Sequence, residues 1–170
     1  MPQLNPPAET SPLWRLTAAT LCTGILAGLG GMLLALLLHF IQHLAFGYSP
    51  DFIISNESFL QGVSEATRSR RLAVLVLCGA VAGFGWWALY RWGKPLVSIA
   101  AAVKSDQPRM PLVSTTLHAL LQIITVALGS PLGREVAPRE IGAVSASWLA
   151  RRFSLTVRET QIMIACGAGA

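Results

Sequence analysis

Long stretches of sequence without a charged residue constrain this chain more than any other feature. Asp, Glu, Lys and Arg are all missing from residues 16–50, 72–90 and 110–133. A helix needs roughly 20 apolar residues to cross the hydrocarbon core of a bilayer, and each stretch meets or approaches that length. The apolar residues run continuously instead of alternating, which favours helices over a membrane β-barrel. The sequence therefore predicts an all-α, polytopic integral membrane protein.

The charged residues are few and lie mainly between the apolar stretches. They make up 12% of the chain, whereas a soluble domain usually carries about 25%. The formal net charge of +5 does not indicate a nucleic-acid partner, because Lys and Arg form no stripe with interleaved aromatic residues. Basic residues that flank membrane spans account for the charge, and the lipid bilayer is the expected surrounding.

The apolar stretches define the expected topology. We predict membrane spans at residues 14–46, 71–92 and 111–128. Residues 95–103 are apolar but too short to span, and they predict a short re-entrant or interfacial helix. The loop after the second span is rich in Lys and Arg, which places that loop and the N-terminus on the cytoplasmic side of the plasma (inner) membrane.

The two ends of the chain differ from this central part. Residues 1–13 are rich in proline and predict a disordered tail, so residues 14–170 form the expected transmembrane domain. A final apolar helix stops at Ala170 without a basic flank. This pattern predicts a domain that is truncated at its C-terminus.

Small and polar residues inside the spans indicate contacts between helices. Two pairs of glycines have the spacing that lets helices approach closely in lipid. They are Gly24 with Gly28, and Gly79 with Gly83. His118 and Gln122 are polar groups at membrane depth, and we expect them to face protein instead of lipid.

A break at membrane depth, residues 129–133, precedes a helix with charges in its first turns, at about residues 135–153. Backbone N–H groups at the start of a helix have no intrahelical partner and favour an anion. Glu135 would satisfy these amides itself and compete with a mobile anion, and its protonation would end the competition. Glu135 is therefore the candidate gate and proton carrier. The amides that would bind the anion belong to Gly133, Arg134, Val136 and Ala137.

The same residues permit a purely structural interpretation. Glu135 and Arg139 are four residues apart, a common spacing for an ion pair on a helix surface. Arg134 and Arg139 could equally anchor the helix at the membrane interface. The residues alone leave the gate and the ion pair open as alternatives.

Two segments resemble the CLC family of chloride channels and anion/proton exchangers, a voltage-gated channel family. Residues 133–135 (Gly-Arg-Glu), followed by residues 141–143 (Ile-Gly-Ala), resemble the family's G-(K/R)-E-G-P segment and the I-G-G or I-G-A after it. Residues 164–170 resemble the small-residue run of its next helix. The resemblance implies broken and tilted helices, with this chain holding part of one inverted-repeat half.

The resemblance also implies a function. The complete protein would be a homodimer that moves chloride or another small anion through the membrane, either as a channel or in exchange for protons. The family's external gate corresponds to Glu135. The family's second half is absent from this sequence, so channel and exchanger are not separated.

The chain departs from the family pattern at two places. The family's G-P after the glutamate is Val136-Ala137 here, with the proline displaced to Pro138. The family's G-S-G-I-P segment falls near residues 93–97, where Lys94 stands in place of the anion-coordinating serine. Lys94 would either attract an anion near the inner mouth or serve only as a loop cation. The hydroxyl of Ser98 is a possible substitute for the serine.

Other functions fit parts of the sequence. A membrane scaffold or assembly subunit would need only the glycine-rich packing helices, and an unrelated transporter could also contain a broken helix. An enzyme is not indicated, because no nucleophile–base pair is in view and residues 129–133 do not form a phosphate loop. We expect no metal and no cofactor.

Overall fold

The computed structural model describes residues 11–47 and 63–170, and no strand occurs among them. The helices that lie wholly within these residues are α1 (Leu13–Phe46), α2 (Arg68–Trp92), α3 (Ile99–Lys104), α4 (Leu112–Ala127), α5 (Val136–Arg152) and α6 (Val157–Gly169). The prediction of an all-α protein is confirmed. The predicted loop between the first two spans falls mostly outside the described residues.

Helices α1 and α2 have the length and surface of membrane spans. They contain 34 and 25 residues, so they are about 51 and about 37 Å long and exceed the ~30 Å hydrocarbon core. Their most apolar windows have mean hydropathies of 2.3 and 2.1, yet only 22% and 17% of those windows is buried. A core helix of a soluble protein would bury most of such a window, so these surfaces suit lipid. The bounds agree with the first two predicted spans, and α1 must tilt or protrude.

The third predicted span, residues 111–128, is shorter than expected. Helix α4 has 16 residues, which is about 24 Å and less than the hydrocarbon thickness. It starts after Pro111 and stops at Leu128 because Gly129 takes a positive φ of 100°. The amide of Gly129 then donates to Val126 O at 3.0 Å, and that of Ser130 donates to Thr125 O at 3.0 Å. These two bonds form a Schellman motif, which ends the helix.

The short helix predicted at residues 95–103 is present as α3. It covers six residues, Ile99–Lys104. Residues 94–98 have no helical structure. Ser98 has an extended backbone, and its hydroxyl oxygen accepts the amide N–H of Ala101 at 3.1 Å at the start of the helix. The helix is about 9 Å long and does not span a membrane.

Helix α5 is the central element, because it packs against α1, α4 and α6. Leu34 and Leu38 of α1 and Ile123 of α4 surround its first turn in one apolar cluster that includes Ala137. Apart from Val144 and Leu149, the other buried residues of this helix are small and allow close packing. They are Gly142, Ala143, Ala146, Ser147 and Ala150.

Close approach of helices occurs at glycines other than the predicted pairs. A Cβ on Gly30 would touch Ile141, and a Cβ on Gly142 would touch the carbonyl of Gly167. By contrast, the predicted pairs have no atom within 4 Å of an added Cβ in the described chain. These exposed glycines are Gly24, Gly28, Gly79 and Gly83. Any close helix contact at these four residues must therefore come from outside the described part of the chain.

The N-terminal segment is joined to α6. The Ser11 amide and hydroxyl donate to the two carboxylate oxygens of Glu159 at 3.0 and 2.6 Å. Glu159 also accepts the Thr156 amide at 2.9 Å in a capping box at the start of α6. Residues 1–10 of the predicted tail lie outside the described residues, whereas Ser11 is held and Leu13 already belongs to α1.

Candidate anion site

The break between α4 and α5 brings Glu135 to the start of a helix. After the Schellman motif, residues 130–134 run without helical structure, and α5 begins at Val136. Glu135 is the N-cap residue, with φ −75° and ψ −24°. Its side chain makes no capping hydrogen bond. The expectation that Glu135 satisfies the free amides itself is therefore wrong for this structure: the carboxylate lies near the positive end of the helix dipole but bonds to none of its amides.

The Glu135 carboxylate folds back over Gly133. A Cβ added to Gly133 would lie 2.5 Å from Glu135 Oε2, so the missing side chain leaves room for the carboxylate. Both residues are exposed in this chain. Within the described residues, Glu135 forms no ion pair with Arg139. The structural alternative, an ion pair four residues apart, is not found.

The first turn of α5 has fewer free amides than an ordinary helix start. Pro138 occupies the third helical position and has no N–H group. The amides of Val136 and Ala137 are the donors that remain in this turn. Val136 is exposed while Ala137 is fully buried. Gly133 and Arg134 precede Glu135 in the exposed segment, so the predicted anion-binding residues are contiguous in space.

Lys94 and Ser98 are the residues proposed for an inner mouth. The Lys94 amide donates to Ser114 Oγ at 2.9 Å, which ties the start of the α2–α3 connection to α4. The Ser98 hydroxyl oxygen caps α3. Neither residue forms a hydrogen bond or an ion pair with Glu135 in the part of the chain that the structure describes.

Two cations that the sequence did not single out for this site face the start of α5. Lys104 of α3 and Arg139 of α5 line a cavity of about 510 Å³ together with Val136. The other lining residues are Ile99, Ala100 and Val103. No acidic side chain lines this cavity among the described residues, so it favours negative charge. Lys104 and Arg139 are 35 positions apart in sequence, so no local sequence pattern predicts that they line the same cavity.

A polar cluster joins α4 to α5 behind this site. His118 Nδ1 lies 2.8 Å from Glu140 Oε2 and 3.0 Å from Gln122 Nε2. His118 and Gln122 thus face protein, as predicted. The sequence did not identify Glu140 as their partner, because the spacing of 22 residues across a turn carries no local signal.

Comparison with known proteins adds to this geometry. The sequence model of a family described as "Voltage gated chloride channel" matches residues 78–170. Proteins named voltage-gated ClC-type chloride channel ClcB, from Yersinia pestis and from Yersinia pseudotuberculosis serotype O:1b (strain IP 31758), are each 28% identical over 123 residues. The match covers 70% of this chain but 30% of each relative. No solved structure matches the chain.

Proposed function

Because the chain belongs to the voltage-gated chloride channel family, we propose that it forms part of a membrane pathway for chloride or another small anion, gated by Glu135. It is an all-α membrane protein, and it spans 30% of the length of its matched relatives. We therefore propose anion transport for the complete protein and not for this chain alone.

The position of Glu135 immediately before α5 carries the proposal. The segment from Gly133 to Ala137 presents backbone amides and the positive end of a helix to one small region. The same region contains the carboxylate of Glu135, for which the described residues provide no capping bond and no ion pair. A carboxylate and an anion cannot share the region, because both seek the same donors.

Protonation of Glu135 supplies the gate. In the proposed gate, the ionised carboxylate turns from Gly133 to the free amides and takes the anion position, and the neutral acid leaves that position. Each proton that reaches Glu135 thus permits anion entry, and in an exchanger it is also the transported proton. Whether a complete protein is a channel or an exchanger depends on how that proton reaches the opposite side.

The cations around the site concentrate anions. Lys104 and Arg139 supply positive potential at the α3–α5 cavity, next to Val136. We propose a weaker effect near the inner mouth for Lys94, together with Ser98. The proposed setting is multi-pass insertion in the plasma (inner) membrane, with the N-terminus in the cytoplasm and a homodimer as the assembly.

One observation favours a second candidate, a scaffold or assembly subunit. The glycine pairs of α1 and α2 meet nothing in the described chain, and such small-residue surfaces suit helix partners. The two functions differ in the environment of Glu135. A scaffold would keep Glu135 at the lipid–water boundary, with no anion-binding site beside it.

Cysteine labelling separates the two functions. Glu135→Cys, in the complete protein with Cys22, Cys78 and Cys166 replaced by Ala, would react with a small anionic thiol reagent. We expect chloride to slow that reaction relative to gluconate at equal ionic strength. Asp106→Cys, at an exposed loop residue, is the control and should react at one rate in both salts. Equal rates at residue 135 would favour the scaffold.

A further inference from the structure

A pair of titratable side chains lies at the α4–α5 interface and takes no part in the proposed gate. His118 and Glu140 are 2.8 Å apart, and their side chains are only 17% and 18% exposed. Gln122, one turn after His118 on α4, lies 3.0 Å from the same imidazole nitrogen. A carboxylate and an imidazole that are mostly shielded from water interact strongly, since little solvent screens them.

The recorded neighbours of the pair come from several elements. From α2, Trp86 packs edge-on against the His118 ring, with centroids 6.0 Å apart. From α1, the hydrophobic residues clustered with α4 include Leu34, Leu38 and Ile41. Ser114, one turn before His118, accepts the backbone amide of Lys94 at 2.9 Å, so this cation belongs to the same end of α4. Within the described residues, Glu140 is the charged group that pairs with His118.

Hydrogen-bond chemistry determines where those protons sit. The nitrogen Nδ1 faces the Glu140 carboxylate, which only accepts when ionised. Nδ1 must therefore carry a hydrogen and donate it to Glu140. The Gln122 amide group at 3.0 Å must then present its carbonyl oxygen, because two donors would otherwise oppose each other; amide oxygen and nitrogen are assigned from such networks. This arrangement leaves Nε2 as the basic nitrogen.

We infer that His118 and Glu140 form a proton-binding site, separate from Glu135, whose occupation makes the start of α5 more attractive to an anion. A proton from water binds the Nε2 lone pair, and the net charge of the pair changes from −1 to 0. The bond between Nδ1 and the carboxylate persists through this step, so α4 and α5 stay joined. Glu140 lies on the second turn of α5, five residues after Glu135, so loss of negative charge there raises the potential at the anion site.

Measuring which ring nitrogen of His118 carries hydrogen tests the inference directly and requires no transport assay. In the complete protein in nanodiscs, with ¹⁵N-labelled histidine, we expect His118 at pH 8 to carry its hydrogen on Nδ1. Both nitrogens should carry hydrogen at pH 5, because the inferred site then holds its proton on Nε2. Glu140→Gln should remove the Nδ1 preference at pH 8. A wild-type His118 with hydrogen on Nε2 alone at pH 8, or a spectrum unchanged between pH 8 and pH 5, would overturn the inference.

Flux measurements test the effect on the anion. This experiment rests on the proposed function, so it is done with the Glu135→Gln variant, in which the proposed gate no longer responds to pH. Chloride flux should still rise several-fold from pH 8 to pH 5, and His118→Gln should abolish the rise. His39→Gln, at an exposed histidine of α1, should leave it unchanged. If chloride flux in the single variant Glu135→Gln does not change with pH, the second proton site is contradicted. If the dependence of flux on pH in this variant is identical to that of wild type, the proposed gate is contradicted.

Discussion

Gly142 of α5 and Gly167 of α6 lie backbone against backbone where the two helices cross. A Cβ on either residue would meet the carbonyl oxygen of the other, and a Cβ on Gly167 would also touch Ala146. The contact draws α6 against the centre of α5, the helix that begins with the candidate site. Both glycines belong to the segments that resemble the CLC family, so the family pattern has a packing role as well as a site role.

Alanine at this crossing should destabilise the protein. Gly142→Ala forces a side chain into a backbone carbonyl that cannot move aside, and overpacking of this kind costs about 1–3 kcal/mol. Gly24→Ala is the matched control. Its Cβ meets nothing within 4 Å, and alanine in a helix is favoured by about 1 kcal/mol over glycine. Thermal unfolding in detergent should show a lower midpoint for the first variant only; equal midpoints would disprove the contact.

Arg70 of α2 should stabilise the end of α1. Its guanidinium donates to Ala45 O at 2.7 Å and to Leu44 O at 3.0 Å, which satisfies carbonyls that the helix leaves unpaired. Arg70 is exposed, so Arg70→Ala should lower the unfolding free energy by only about 1 kcal/mol. Arg68→Ala removes the same charge two residues earlier. If both variants lost equal stability in chemical denaturation, charge and not the two bonds would be responsible.

The bond between the N-terminal segment and α6 should be lost in strong acid. The Ser11 hydroxyl, and after it the amides of Thr156 and Ser11, lower the pKa of Glu159 from 4.5 to about 2 against the opposing effect of burial. Because the folded-state pKa lies below the ordinary value, the stabilisation is complete above pH 4.5 and is lost as pH falls towards 2.

Hydrogen exchange at the Ser11 amide measures this loss. Protection should persist at pH 4 and weaken near pH 2, after correction for intrinsic exchange. Glu159→Gln should weaken protection already at pH 6, because a neutral amide is a poorer acceptor than a carboxylate. Protection that is the same in wild type and in Glu159→Gln at pH 6 would show that the carboxylate does not hold Ser11.

Some of this structure follows from sequence because local rules suffice. Residues 16–50 and 72–90 contain no charge, and only helices bury their own backbone polar groups in lipid. Gly129 and Pro131 indicate the break, since one permits a positive φ and the other cannot continue a helix. The position of Glu135 at the following helix start then needs no tertiary information.

Other features depend on how distant segments meet. Glu140 binds His118 because the turn after α4 sets the register of α5, and no spacing rule specifies that register. Arg139 turns to the cavity shared with Lys104, so the pairing with Glu135 that a four-residue spacing predicts does not form. The bond between Ser11 and Glu159 joins positions 148 residues apart, which only the folded chain brings together.

The cations of the α3–α5 cavity should raise anion flux by electrostatic attraction. In the complete protein, Lys104→Ala and Arg139→Ala should each reduce chloride flux, and more so at low salt, because screening acts over ~10 Å at 0.1 M. Lys94→Ala should reduce it only modestly, because we propose that Lys94 acts through its charge and does not coordinate the anion. Flux in proteoliposomes at two ionic strengths gives the comparison. Complete loss of flux in Lys94→Ala would instead mean that Lys94 coordinates the anion directly.

Chloride and proton flux in liposomes, with the complete protein as wild type and as Glu135→Gln, tests the central claim most directly. Glutamine mimics the permanently protonated acid, so anion flux should stay intact or rise. The part of its dependence on external pH that arises at Glu135 should be lost, together with any coupled proton movement. Asp106→Asn, which neutralises an exposed loop carboxylate, should behave as wild type. Proton-coupled flux with the wild-type pH profile in Glu135→Gln would contradict a gate at this residue.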